Sequence, residues 1–134
     1  MTNEKPINPR LNEDLRFEAK PGGPLRYNST TDKPVQYITV ADLTGTAIGY
    51  VWANDEDDAA SWLDRKDISP ASYNEGMLWT LWLRDAKARG IAPSEALAEL
   101  MRASTVDGAN SRVVPGSLTE IPDVEILRAL AREN

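Results

Sequence analysis

Four consecutive carboxylates, Asp55-Glu56-Asp57-Asp58, are the densest chemically competent stretch of the chain. Hard cations such as magnesium and calcium take carboxylate oxygens, so one role for the cluster is the metal site of a metal-dependent hydrolase. The spacing argues against that role. The D-x-[DN]-x-[DN]-G-x5-E calcium loop is absent, and on a helix neighbouring side chains diverge by about 100° per residue rather than converging on one ion. Two other roles suit the cluster better. Carboxylates in the first turn of a helix meet the positive end of its dipole, and an acidic surface steers a basic protein partner by long-range attraction. Asp55, Glu56, Asp57 and Asp58 are therefore expected to form a partner-binding surface, with no metal and no cofactor.

Aromatic residues supply the second candidate. Tyr37, Tyr50 and Trp52 fall on one face of a predicted hairpin, where flat rings suit a small molecule or a peptide. The competing expectation is that the same face simply covers the core, since large aromatic side chains are apolar loads that a small domain must bury. Other chemistry is sparse. There is no Cys and no His, which removes thiol and imidazole nucleophiles, bases and metal ligands. Asp42, Asp55, Glu75 and Asp85 are conceivable acid/base pairs, but no spacing brings two of them together. Neither phosphate-binding glycine loop is present, nor a G-x-S-x-G elbow. No catalytic residue is assigned, and an enzyme is not the expectation.

Charge narrows the partners. The chain has 134 residues, with 15 basic and 21 acidic side chains and a net charge of -6, the wrong sign for a phosphate-backbone binder. Nucleic acid is not expected as a partner. The opening MTNEKPINPRLNEDLRF is polar and broken by proline, so no secretion signal is expected and the default compartment is the cytoplasm.

The elements that must hold these residues follow from periodicity. Residues 1–12 are expected to form a mobile or surface-laid arm, and residues 13–134 a single domain. Leu15, Phe17 and Ala19 alternate with polar residues, and Leu25 and Tyr27 resume the alternation after Pro21-Gly22-Gly23-Pro24, which predicts a short hairpin. Val35 to Asp42 and Ala47 to Ala53 predict a second hairpin turning at Gly45, with Ala41, Thr39 and Tyr37 opposite Ile48, Tyr50 and Trp52. Its other face, with Ile38, Val40, Gly49, Val51 and Ala53, is shallow enough for a helix to approach. The stretch NDEDDAASWLDRKD predicts a short helix capped by Asn54 or Asp55.

Next comes Tyr73 to Arg89, apolar over most of its circumference and ended by Gly90. Ser72 and Glu75 have capping-box spacing at its start, in competition with Ser69-Pro70. Pro93 opens a further helix with Ala96, Leu97, Leu100 and Met101 inward and a Glu99–Arg102 pair outward. A long loop, Ser104 to Thr119, holds a short strand near Val113-Val114. Pro122 is expected at the first position of a last helix, whose inward residues are Val124, Leu127, Leu130 and Ala131.

The predicted fold is α+β: an N-terminal antiparallel meander of three to four strands, then about four helices, with a central buried helix at 73–89. At 17 residues and interrupted by charge, that helix is too short to span a membrane. If the remaining elements cannot cover it, a homodimer is a further expectation. The composite expectation is a small acidic protein-interaction module, of the kind that acts as an inhibitor or immunity protein, with an aromatic ligand-binding face as the alternative.

Overall fold

A computed structural model describes residues 26–66 and 68–133. The expected arm at 1–12 and the strand around Leu15, Phe17 and Ala19 lie outside the described residues. Among the described residues the fold is α+β, with five strands in one antiparallel sheet and three helices. The chain runs β1 (Val35–Asp42), β2 (Ala47–Asn54), β3 (Ala59–Asp64), α1 (Pro70–Ala88), α2 (Pro93–Ala103), β4 (Ser111–Val113), β5 (Thr119–Ile121) and α3 (Val124–Arg132). The sheet order is β3-β2-β1-β4, and β5 pairs with the other end of β1.

The β1–β2 hairpin forms where alternation and turn chemistry agree. Asp42 accepts from the backbone N–H of Thr44 at 2.9 Å and of Thr46 at 3.0 Å, while Gly45 takes φ +90°. Tyr37 faces Trp52 and Thr39 faces Tyr50, as the alternation predicts. A register shift between Val40 and Ala41 places Ala41 opposite Ala47 rather than Ile48. Ile48 accordingly belongs to the core cluster beneath α1, not to the aromatic face.

The acidic stretch does not begin a helix. Asp55–Asp58 is a tight turn, closed by an Asp58 N–H to Asp55 carbonyl bond of 3.1 Å, and the chain returns as β3. Asp58 takes φ +50°, a value aspartate tolerates better than most residues, and this breaks any helical continuation. Ala60, Trp62 and Asp64 then alternate with Ala59, Ser61 and Leu63 against β2. Cross-strand pairing of Trp62 with Val51 and of Leu63 with Tyr50 overrides the helical preference of the two alanines.

Helices cover both sheet faces, which resolves where the aromatic residues go. On the aliphatic face, α1 and α2 bury Trp79, Leu83, Ala86, Ala96, Leu97 and Leu100 over Ile38, Val40, Val51 and Ala53. On the other, α3 lays Val124, Leu127 and Ala131 against Val35, Tyr50, Trp52 and Ala59. Large side chains buried in this way contribute about 1.5–3 kcal/mol each. Two layers of cover mean that α1 need not be wrapped. It is amphipathic in practice: Trp79 is fully buried, whereas Tyr73, Met77 and Leu81 are 64%, 63% and 47% exposed. The expectation of a central helix buried all round is thus corrected.

Helix boundaries differ in instructive ways. Ser69, not Ser72, caps α1, accepting from the Ser72 N–H at 3.1 Å with Pro70 in the first turn. Glu75 is freed from the capping box and reaches elsewhere. Asp123 caps α3 through the Glu125 N–H, so Pro122 precedes the helix instead of opening it. Three helices replace the expected four, because one predicted helix is β3. Glu99 pairs with Arg89 at 3.3 Å and not with Arg102, since α1 and α2 pack side by side.

Candidate functional site

Each carboxylate of the acidic turn has a different fate. Asp55 accepts from the Ser94 N–H at 2.8 Å and from the Ser94 hydroxyl at 2.5 Å. It thereby supplies the N-terminal cap that Ala92, at the head of α2, has no side chain to provide. Asp57 accepts from the Thr31 hydroxyl at 2.6 Å and pairs with Lys33 at 3.1 Å. The Thr31 bond first, and then Lys33, hold the Asp57 carboxyl below its usual range, and the Asp57 bond in turn raises Lys33. Asp58 pairs with Lys87 of α1. Glu56 alone projects as an exposed carboxylate with no hydrogen-bond or ion-pair partner among the described residues. No group of three or more carboxylates there is arranged to hold a metal ion.

The aromatic candidates are mostly core. Tyr50 is 3% and Trp52 1% exposed beneath α3. Tyr37 is half-buried and meets Tyr50 edge-on at 5.6 Å between centroids. The Tyr50 hydroxyl accepts from Arg65 at 2.7 Å, so its polar end is satisfied at the rim of the core. The conceivable acid/base residues likewise have separate partners. Asp42 holds the hairpin turn, its carboxyl kept low chiefly by the Thr44 hydroxyl. Asp85 pairs with Arg89 at 3.0 Å. Glu75 accepts from the Asn110 N–H at 2.7 Å and the Ser111 hydroxyl at 2.6 Å, and Ser111 in turn accepts from the Trp79 indole N–H at 2.9 Å. This relay pins the loop before β4 to α1 and leaves the buried Ser111 hydroxyl fully bonded.

Among the described residues, what is left open lies along the outer side of β3. The Ala60 N–H donates to the Asn28 carbonyl at 3.0 Å, on the side away from β2. Strand alternation carries the backbone N–H and C=O of Trp62 and Asp64 to that same outer side. Among the described residues no strand pairs with them, and β3 ends the sheet. An unpaired strand edge of this kind is a template for another extended chain.

Beside this edge runs a groove. Its floor is the Trp62 indole, stacked on Trp79 with centroids 6.1 Å apart and planes 19° from parallel. The indole N–H donates to the Asp64 carboxylate at 2.5 Å, which fixes the ring. Gly49 and Gly76 make this possible: a Cβ at either position would run into the Trp62 ring. The far wall is the flank of α1, with Tyr73, Met77, Thr80 and Arg84 at helical spacing. Two hollows line up along it and share Trp62 and Thr80. One, about 210 Å³, lies among Asp64, Tyr73, Asn74, Gly76 and Met77. The other, about 540 Å³, opens between Arg26, Asn28, Ser29, Ser61 and Arg84. Tyr27 closes the inner side of the larger hollow, its hydroxyl donating to the Ile91 carbonyl at 2.7 Å. Burial, aided by Asp58, pushes the Tyr27 hydroxyl up to about 12, so it stays a donor.

None of these groove residues stands out as a site in the sequence. The available signal was the period-two pattern of Ala60, Trp62 and Asp64, which the preceding carboxylates masked. Comparison of the chain with protein-family models, with curated proteins and with solved structures yields no match. Function must therefore be argued from this geometry alone. No helix among the described residues is long and apolar enough to cross a membrane.

Proposed function

We propose that this protein is a protein-interaction module that binds an extended segment of a partner protein by adding it as a strand to the outer side of β3. The observation that carries this reading is the outward-facing backbone of Trp62 and Asp64 beside a groove walled by an exposed apolar flank of α1. Strand addition draws affinity from main-chain hydrogen bonds, each worth roughly 0.5–1.5 kcal/mol net, and selectivity from pockets for alternate side chains. Here those pockets are the two hollows either side of Trp62. Met77 and Tyr73, 63% and 64% exposed, offer apolar anchorage for an occupant. The acidic turn is the weaker docking surface, because three of its four carboxylates already hold this protein's own elements together.

Asp64→Pro tests the reading. Proline removes the outward N–H at Asp64 and fills the edge, while the β2 pairing is spared because that N–H faces away from β2. Asp64→Asn is the control, keeping both the N–H and an acceptor for Trp62. Peptides selected from a displayed random library on the wild type should bind Asp64→Asn within a few-fold and lose binding to Asp64→Pro, with both variants folded by circular dichroism. Equal binding to Asp64→Pro would sink the reading. So would a stable dimer of the free protein that Asp64→Pro converts to monomer, since a second copy would then own the edge.

A further inference from the structure

The two ends of the groove differ in charge, and that difference says what the bound segment must carry. We infer that the end between Arg26 and Arg84 receives a carboxylate, so that the partner segment is extended and acidic at one fixed position; the inference rests on the strand-addition reading above. The chain has 21 acidic residues, yet none of those among the described residues lines the larger hollow. Its polar lining is instead Arg26, Arg84, Asn28, Ser29, Ser61 and Thr80: two guanidinium groups together with amide and hydroxyl groups. A planar guanidinium presents paired N–H donors that match the two oxygens of a carboxylate, and neutral hydroxyls complete such a site without competing charge.

The other end is built the opposite way. The smaller hollow contains Asp64 and, among the described residues, no cation, with Tyr73 and Met77 for apolar contact. A segment lying in the groove is thus oriented by charge: its acid falls beside Ser61 and Arg84, and an apolar or cationic residue falls beside Asp64 and Met77. Because β3 and α1 run in opposite directions here, a single extended segment meets both ends in register with the strand. The net charge of -6 would repel an acidic partner at long range, so the attraction is local and the orientation specific.

The test uses acetylated heptapeptides of alternating valine and threonine in which one Glu, or one Gln, is moved through every position, each made as the C-terminal acid and as the amide. Titrated onto the full chain, Glu peptides at one or two adjacent positions should bind about 10-fold or more tightly than their Gln counterparts. That preference should collapse to within about 2-fold in Arg84→Gln and in Arg26→Gln, both exposed positions, and should weaken as salt rises. Glu and Gln peptides that bind equally as acids and lose binding as amides would assign the hollow to a chain terminus and overturn the fixed acidic position. Equal binding of Glu and Gln peptides, still lost in Asp64→Pro, would overturn the carboxylate site while leaving the strand-addition reading intact. Failure of every peptide to bind would overturn both. Inorganic phosphate that binds as tightly as the best peptide, and equally well to Asp64→Pro, would reassign the hollow to a free anion and overturn the inference.

Discussion

The acidic turn and the groove are neighbours on the same strand, yet they use charge in opposite ways. The turn carries four carboxylates in succession, and three of them are bonded to Ser94, to Thr31 with Lys33, and to Lys87. The groove carries few charges, but its backbone edge and its α1 flank face solvent. Charge density along a sequence therefore marks where the chain needs fastening as readily as where it meets a partner. Availability is decided by what folds around the charge. The turn sits where α1, α2 and the segment before β1 converge, so its carboxylates were within reach of backbone N–H groups and cations. The β3 edge has no such neighbours among the described residues.

Three experiments sharpen this contrast, beginning with the groove. Gly49→Ala places a methyl group against both the Trp62 ring and the Leu63 carbonyl, 2.7 Å away, and a backbone atom cannot step aside cheaply. Overpacking of this kind costs roughly 1–3 kcal/mol. At Gly76→Ala the nearest atoms all belong to the Trp62 ring rather than to backbone, and the change gains about 1 kcal/mol of helix propensity, so its loss should be the smaller of the two. Urea unfolding of both variants checks the order; a stabilised Gly49→Ala would show that Trp62 is not fixed as described.

For the turn, Asp55→Ala should lower stability by about 1 kcal/mol, the usual cost of a lost helix cap, while Glu56→Gln should change it by less than about 0.5 kcal/mol. Comparable losses at both positions would erase the distinction between Asp55, bonded to Ser94, and Glu56, which has no partner among the described residues. The smallest effect is one of pH. Asp57 is depressed below its usual 3.8, so its contribution is complete above that value and disappears as pH falls through the lower, folded value. Asp42 acts with the same sign. Urea midpoints should hold steady at mildly acidic pH and drop below about pH 4, with the gap between wild type and Asp57→Asn closing as acid protonates the wild-type residue. A gap that widens in acid would contradict the Thr31 and Lys33 bonding.

The parts of the fold legible in the sequence are those governed by local rules. The β1–β2 hairpin follows from alternation around Gly45, and α2 follows from Pro93 with Ala96, Leu97 and Leu100. The stretch Ala59–Asp64 reads differently in sequence and in structure because Ala59-Ala60 after four carboxylates looks like a helix start, whereas pairing with β2 decides the outcome. The apolar count of α1 overstated its burial. It could not reveal that α3 would cover the opposite sheet face and leave Tyr73, Met77 and Leu81 in solvent. The groove was out of reach for a stronger reason. Arg26 and Arg84 come from distant parts of the chain, and their proximity exists only once α1 lies across β3.

The stacked indoles beneath the groove give the molecule an optical property of its own. Two indole chromophores 6.1 Å apart are close enough to couple their transition dipoles, and a bisignate exciton band in circular dichroism is the expected outcome that a far- and near-UV scan would check. Only one of the pair, Trp62, forms the groove floor, while Trp79 is anchored by Ser111 in the core. Any occupant that turns Trp62 relative to Trp79 will rotate one dipole against a stationary reference. The native chain thus carries a label-free gauge of its own binding surface.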